Sequence, residues 1–350
     1  MFPQARCTAA DGSGVDYADG ASVSPSGDLI LYAQWNRPTA ATRATSVVTS
    51  RDGSKVYVIS GNSLQLFDSA NGETLASVTT ATDSRALALS PDGRRLYVTC
   101  YADASNNRGV AVYDVSSNSI NLISTLNISP RLPTTLEIPP SIELNADGSR
   151  AYVTDLSALA IATVNTATGA TLGELAYNPQ RPIGMGLSPD GSRLYVQLRD
   201  LQTGAGVFGR IDTTTNPPQA LPSLIRDPGV FLGMGLSADG TRFYGAKAGG
   251  MRCWTTDGTP LGEISLPGGF YRRCVLSPSG RLVYVIDGYF RKGVAVLDVS
   301  NDNPTLVTTL MQGALTFDMD LSPDAPSCLS GIGTRTACRC LTVGARLPRS

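Results

Sequence analysis

The sequence contains no histidine. That absence excludes Ser-His-Asp and Cys-His catalysis, His-ligated zinc and His-ligated haem. No apolar run reaches the roughly 18 residues a membrane-spanning helix needs. No basic run is interleaved with aromatics and the formal net charge is -1, which argues against a nucleic-acid partner. The seven cysteines (Cys7, Cys100, Cys253, Cys274, Cys328, Cys338 and Cys340) include no Cys-x-x-Cys pair, so thiolate zinc is not expected. Their odd number sets no disulfide framework, and Cys100 and Cys274 read as small buried thiols in strands. No Asp-x-Asp-x-Asp-Gly loop is present, and Asp318-Met-Asp320 reads as a solvated pair beside a turn rather than a calcium site. No catalytic residue, metal or cofactor is expected.

What the chain does contain is one unit, repeated. Leu187-Ser-Pro-Asp-Gly-Ser-Arg-Leu-Tyr-Val196 recurs as Thr49 to Val58, Leu89 to Val98, Leu144 to Val153, Leu236 to Gly245 and Leu276 to Val285. A further start at Leu321-Ser-Pro-Asp324 then loses the pattern, with Ala325 in the glycine slot. The anchor glycines Gly53, Gly93, Gly148, Gly191, Gly240 and Gly280 stand 40 to 55 residues apart. Asp-Gly between apolar runs is a hairpin signal, because glycine takes the positive φ of the turn and aspartate bonds its own backbone. Leu-Tyr-Val or Val-Tyr-Val after it supplies residues that fit a pleated surface. A second strand follows, as in Gly109-Val-Ala-Val-Tyr-Asp-Val115 and Gly293-Val-Ala-Val-Leu-Asp-Val299. A short closing strand such as Glu73 to Val78 ends the unit. Four strands per period predict the blades of a propeller, each needing neighbours to cover its two faces. Gly184-Met-Gly-Leu and Gly233-Met-Gly-Leu lead into strands rather than helices, so they predict crowding near an axis, not a phosphate cradle.

These residues, with Leu96-Tyr-Val-Thr99 and Ala151-Tyr-Val-Thr154, resemble the YVTN-type seven-bladed β-propellers over residues 38 to 325. The expected fold is all-β: a seven-bladed propeller over 38–350, its last blade incomplete, preceded by a β-module remnant over 1–37. The Gly-His and Trp-Asp dipeptides of WD-repeat scaffolds are missing. Propeller lactonases and lyases share the fold but use histidine, so the resemblance does not carry their activity here.

Residues 8–36 are not a blade, since Gly27 and Gly53 are too close for four strands. Asp11, Gly12, Tyr17, Asp19, Gly20, Leu31, Tyr32, Ala33 and Trp35 stand where an internalin-type B repeat of bacterial surface proteins has its turns and last strand. Residues 2 to 7 occupy the place of that family's first strand. Met1 to Cys7 lacks the marks of a signal peptide. The resemblance implies a piece of a longer, exported, cell-surface protein; the alternative is a cytoplasmic one. After Asp324 the abrupt loss of period points to an altered reading frame or a truncation, with Leu341 to Leu347 as the tail's one plausible strand and weak closure of the ring. Loops are expected at 101–108, 128–140, 199–206 and 287–292.

The candidate site is a set of arginines on loops entering the innermost strands. In this family that face usually binds ligands. Arg85, Arg181, Arg226, Arg272 and Arg273 stand seven to fourteen residues before their anchor glycines. Converging on one rim, they would hold a small anionic ligand through bidentate pairing, with Tyr271, Phe231 and Phe317 as apolar wall. The competing reading is local pairing with Asp83, Asp227 and Asp318. The expected function is a non-catalytic binding or spacer module, its partner a protein, a cell-envelope component or a small anion. The alternative is a lactonase- or lyase-type enzyme working without histidine on a small anionic substrate, with a carboxylate of raised pKa as its acid or base.

Overall fold

The computed structural model describes residues 44–69, 72–80, 84–100, 109–127, 141–155, 158–290, 292–310 and 316–321, and short strands at 6–7, 16–17, 32–33, 328–333 and 338–342. Strands β1 (Arg6–Cys7), β2 (Asp16–Tyr17) and β3 (Tyr32–Ala33) form a small antiparallel sheet in the order β2-β1-β3. Four four-stranded antiparallel sheets follow. The first holds β4 (Ala44–Thr49), β5 (Lys55–Ser60), β6 (Ser63–Asp68) and β7 (Thr74–Thr79). The second holds β8 (Leu87–Leu89), β9 (Arg95–Cys100), β10 (Gly109–Asp114) and β11 (Asn121–Asn127). The third holds β12 (Ile142–Leu144), β13 (Arg150–Asp155), β14 (Ala160–Asn165) and β15 (Thr171–Ala176). The fourth holds β16 (Gln180–Leu187), β17 (Arg193–Asp200), β18 (Gly206–Asp212) and β19 (Gln219–Asp227). A six-stranded sheet comes next: β20 (Phe231–Leu236), β21 (Arg242–Thr255), β22 (Pro260–Leu276), β23 (Leu282–Asp287), β24 (Val294–Asp298) and β25 (Thr305–Leu310). Strands β26 (Thr316–Leu321), β27 (Cys328–Gly333) and β28 (Cys338–Thr342) form the last sheet.

The arrangement is a propeller. Five sheets of four or more strands carry it among the described residues, where the repeats predict seven blades. One reason lies in β21 and β22, 14 and 17 residues long. Each runs on through a bend where a separate strand was expected, and Ala248 pairs with Phe270, so two repeats share one sheet. The other reason is the tail, whose sheet has three strands. The tail also corrects the expectation of a single strand at Leu341 to Leu347: both β27 and β28 pair there, and β28 begins at Cys338. Residues 101–108 and 128–140 lie outside the described ones. Part of the loop expected at 199–206 is strand, since β17 continues to Asp200.

Four of the six anchors close through one Ser-x-Asp-Gly hydrogen-bond set. At Ser90–Arg95 the Gly93 N–H donates to the Ser90 carbonyl and the Ser90 N–H to the Arg95 carbonyl, both at 2.8 Å. The Ser90 hydroxyl donates to Asp92 at 2.5 Å, and Asp92 accepts the Arg94 N–H at 3.0 Å. The same set recurs at Ser50–Lys55, Ser188–Arg193 and Ser237–Arg242. The six anchor glycines sit at φ of 68 to 72°, where a side chain would be strained. Hydrogen bonds from Ser50 and Ser54 hold the Asp52 carboxyl at about 2, and those from Ser188 and Ser192 do the same for Asp190. These folded-state values lie below the usual carboxylate value, so the turns hold at neutral pH and loosen only as pH falls toward about 2.

The core is a series of interfaces between neighbouring sheets. The second strands (β5, β9, β13, β17 and β23) are buried on both faces, which explains their near-continuous apolar runs. Their tyrosines Tyr57, Tyr97, Tyr152 and Tyr284 are buried. Tyr57 packs with Leu96, Val98 and Tyr113 of the next sheet; Tyr97 packs with Val153 and Val164 of the one after. The outer strands β7 and β15 alternate exposed and half-buried, because only one face meets a neighbour.

First strands touch in sequence order: β4, β8, β12, β16, β20, then the second half of β22, then β26, which returns to β4. Near the axis they crowd. A Cβ at Gly233 would lie 1.9 Å from the Arg272 carbonyl oxygen, whereas one at Gly184 meets only side-chain atoms, the nearest being Gln197 Oε1 at 3.3 Å. The two Gly-Met-Gly-Leu stretches therefore differ. Gly233→Ala is expected to lower stability in a urea melt by about 1–3 kcal/mol through overpacking. Gly184→Ala should change it by less than about 1 kcal/mol. Equal losses would contradict axial crowding as the reason for Gly233.

Candidate functional site

The first strands surround a channel of about 830 Å³. Equivalent strand positions define its two ends. Arg85 and Arg272 each stand four residues before an anchor leucine (Leu89 and Leu276), so they share one mouth. Arg273 stands one residue further in. Arg51, Pro91, Pro189 and Pro278, from the anchor turns, line the other end.

The five predicted arginines divide. Arg85, Arg272 and Arg273 line the channel. Arg181 lies on β16, opposite Arg199 in the ladder, and is not among the channel-lining residues. Its Nε is buried without a hydrogen-bond partner among the described residues. Arg226 corrects the expectation. It was placed on an entry loop, but β19 continues to Asp227, so Arg226 sits on an outermost strand. Its side chain is 66% exposed and pairs with Asp200 at 3.5 Å.

Local pairing is real for part of the set. Arg273 Nη1 meets Asp318 Oδ1 at 2.6 Å. Asp227 pairs with Arg252, not Arg226. Asp83 and the Phe317 side chain lie outside the described residues. Phe231 is not channel wall; it is 1% exposed and packs with Phe208, Phe243 and Trp254. Tyr271 is likewise buried, in the core between sheets.

Arg272 does have an aromatic companion, though not an expected one. Its guanidinium lies 5.6 Å from the ring centre of Tyr289, which meets Phe270 edge-on at 5.1 Å. Buried Asp287 shapes that loop by accepting the N–H groups of Phe270 and Phe290 at 2.9 Å and of Lys292 at 2.7 Å. The loop so held leaves Tyr289 and Phe290 exposed beside the basic mouth.

Asp318 and Asp320 are neither a solvated pair nor a metal site. Asp318 Oδ2 accepts the Ser46 hydroxyl and the Val47 N–H, each at 3.0 Å. Asp320 Oδ2 accepts the Thr49 N–H at 2.7 Å and its hydroxyl at 2.8 Å. They hold β26 to β4, and burial pushes the Asp320 carboxyl up. No group of three or more metal-ligating side chains with suitable spacing occurs among the described residues. No helix there is long and apolar enough to cross a membrane. Cys100, Cys253 and Cys274 are buried thiols, as the strand reading of Cys100 and Cys274 predicts, and burial raises the Cys274 thiol above its usual range.

Glu143 is the residue that motif reading missed. It stands one position before Leu144 and lines the channel. Other copies have Val48, Ala88, Gly186, Gly235 and Val275 there, and only the last copy has a carboxylate, Asp320, so aligning that column would have drawn attention to Glu143. It is enclosed by channel walls while keeping some contact with channel water, and no described donor bonds it. Burial pushes its carboxyl up to about 7, with Arg273 opposing. Because the folded value exceeds the unfolded one, ionisation costs stability as pH rises from about 4 to about 7. Glu143→Gln should therefore raise the melting temperature at pH 8 and leave it nearly unchanged at pH 4. A rise of equal size at both would show that charge burial is not the cause.

No family model matches the chain, and no curated protein does. Among solved structures, the chain is similar to the Kuenenia stuttgartiensis hydrazine synthase, with a TM-score of 0.65 over 90% of this chain and 95% of that one. The identity is 18%, so the likeness shows the shared propeller fold and nothing of the chemistry.

Proposed function

We propose that the chain is a non-catalytic binding module: a seven-bladed, YVTN-type propeller over residues 38–350 whose basic channel mouth holds a small anion. The carrying observation is the placement of Arg85 and Arg272 at equivalent strand positions, with Arg273 one step inward. Guanidinium groups at one mouth suit planar carboxylate or phosphate oxygens. The aromatic loop at Tyr289 and Phe290 supplies an apolar lip. Seven blades are supported by the circuit of first strands from β4 to β26 and back, in which β20 and β22 count as separate members.

The setting we propose is an exported bacterial surface protein, with residues 1–37 as part of an internalin-type repeat. Asp11, Tyr17, Tyr32 and Trp35 motivate it. A second reading has one observation in its favour. The Glu143 carboxyl, pushed up to about 7, has the pKa of a general acid or base, which keeps a histidine-free lactonase- or lyase-type enzyme in play.

The anion reading is tested by thermal shift with inorganic phosphate and citrate. A ligand that binds only the folded state stabilises it by about 2.7 kcal/mol at a hundred times its Kd. The double variant Arg85→Ala, Arg272→Ala should lose that gain while its ligand-free melting temperature stays within about 4 °C, roughly the effect of 1 kcal/mol. A gain that survives in the variant would remove the mouth from the account.

A further inference from the structure

We propose that the channel takes an elongated zwitterion: a linear molecule with a carboxylate at one end, held at Arg85 and Arg272, and a primary ammonium at the other, held by Glu143. The inference rests on the anion-binding reading and deepens it.

Three observations carry it. The first is position. Arg85 and Arg272 lie four residues before their anchor leucines and Glu143 lies one before its own. At about 3.3 Å per residue, the carboxylate sits about 10 Å deeper along the channel than the basic mouth. The second is the wall between them. Ala86, Ala88, Ser141, Gly184 and Gly186 line it, and small residues leave room for a chain. The third is the state of Glu143 itself. Asp320 stands in the corresponding column of its own strand, one residue before Leu321, and is satisfied by the Thr49 N–H of β4. Glu143 has no such donor among the described residues. Arg273, the cation acting on it, is engaged by Asp318. An enclosed carboxylate without a partner is costly, and a ligand ammonium both pairs with it and donates hydrogen bonds.

The test compares 8-aminooctanoate, whose extended chain spans about 10 Å, with octanoate and with 4-aminobutanoate, by isothermal titration calorimetry on the whole chain. The account expects 8-aminooctanoate to bind about tenfold or more tightly than octanoate, as one charge-assisted pair would give. It expects 4-aminobutanoate, too short to reach both ends, to gain nothing over butanoate. In Glu143→Gln the advantage of 8-aminooctanoate over octanoate should disappear. Equal binding of 8-aminooctanoate and octanoate to the wild-type chain would overturn the zwitterion and leave the anion site standing. Binding of neither, by a chain that melts cooperatively, would overturn both. The wild-type chain-length series decides even where the variant fails to fold.

Discussion

Two carboxylates fasten the last described inner strand to the first. Asp318 and Asp320 on β26 take the Val47 and Thr49 N–H groups of β4, together with the Ser46 and Thr49 hydroxyls. The arrangement depends on this seam, because no sheet here covers both of its own faces. Val47, Val56, Val58 and Phe67 of the first sheet, and Met319 of β26, are buried. If β26 parted from β4, that apolar surface would open to water at about 25 cal/mol per Å². Buried N–H groups would also lose their acceptors, at about 1–3 kcal/mol each. A side chain rather than a backbone ladder makes the join, so two particular residues carry what ordinary strand pairing carries within each sheet.

The same columns of the inner strands serve three ends, set by what stands there. Glycine lets neighbouring strands approach: Gly233 admits the Arg272 carbonyl, and Gly235 lies against Cys274. Aspartate stitches strand to strand. Glutamate, at Glu143, does neither and faces the channel with burial raising its pKa. Packing, closure and the channel carboxylate are thus variations at two positions of the inner strands, one and three residues before the anchor leucine. The site's charge asymmetry follows, with arginines at the entry end of the strands and the Glu143 carboxylate further in.

Much of the fold was legible because its determinants are local. Asp-Gly turns, buried tyrosines and apolar second strands follow from residues within ten positions of one another. The merging of two repeats into one six-stranded sheet was not, since it depends on β21 and β22 staying extended through a bend that the repeat pattern marks as a break. The tail shows the reverse failure: β27 and β28 pair although Cys328 to Thr342 carries no anchor. Of the candidate site, Arg85, Arg272 and Arg273 were legible from their offset before the anchors. Arg226 stands fourteen residues before Gly240 and belongs to a long outer strand, and strand length beyond the motif is set by neighbours rather than by local sequence. Asp318 and Asp320 were read as a surface pair because their partners lie about 270 residues away in the chain.

The seam is tested most directly by native-state hydrogen exchange at the Val47 and Thr49 amides. The account predicts protection comparable to that of Val98 and Val153, in the buried second strands, because all would then open only with the whole ring. Exchange of Val47 and Thr49 at the rate of surface-loop amides, while Val98 and Val153 remain protected, would contradict it and show that the ends of the propeller are not fastened to each other.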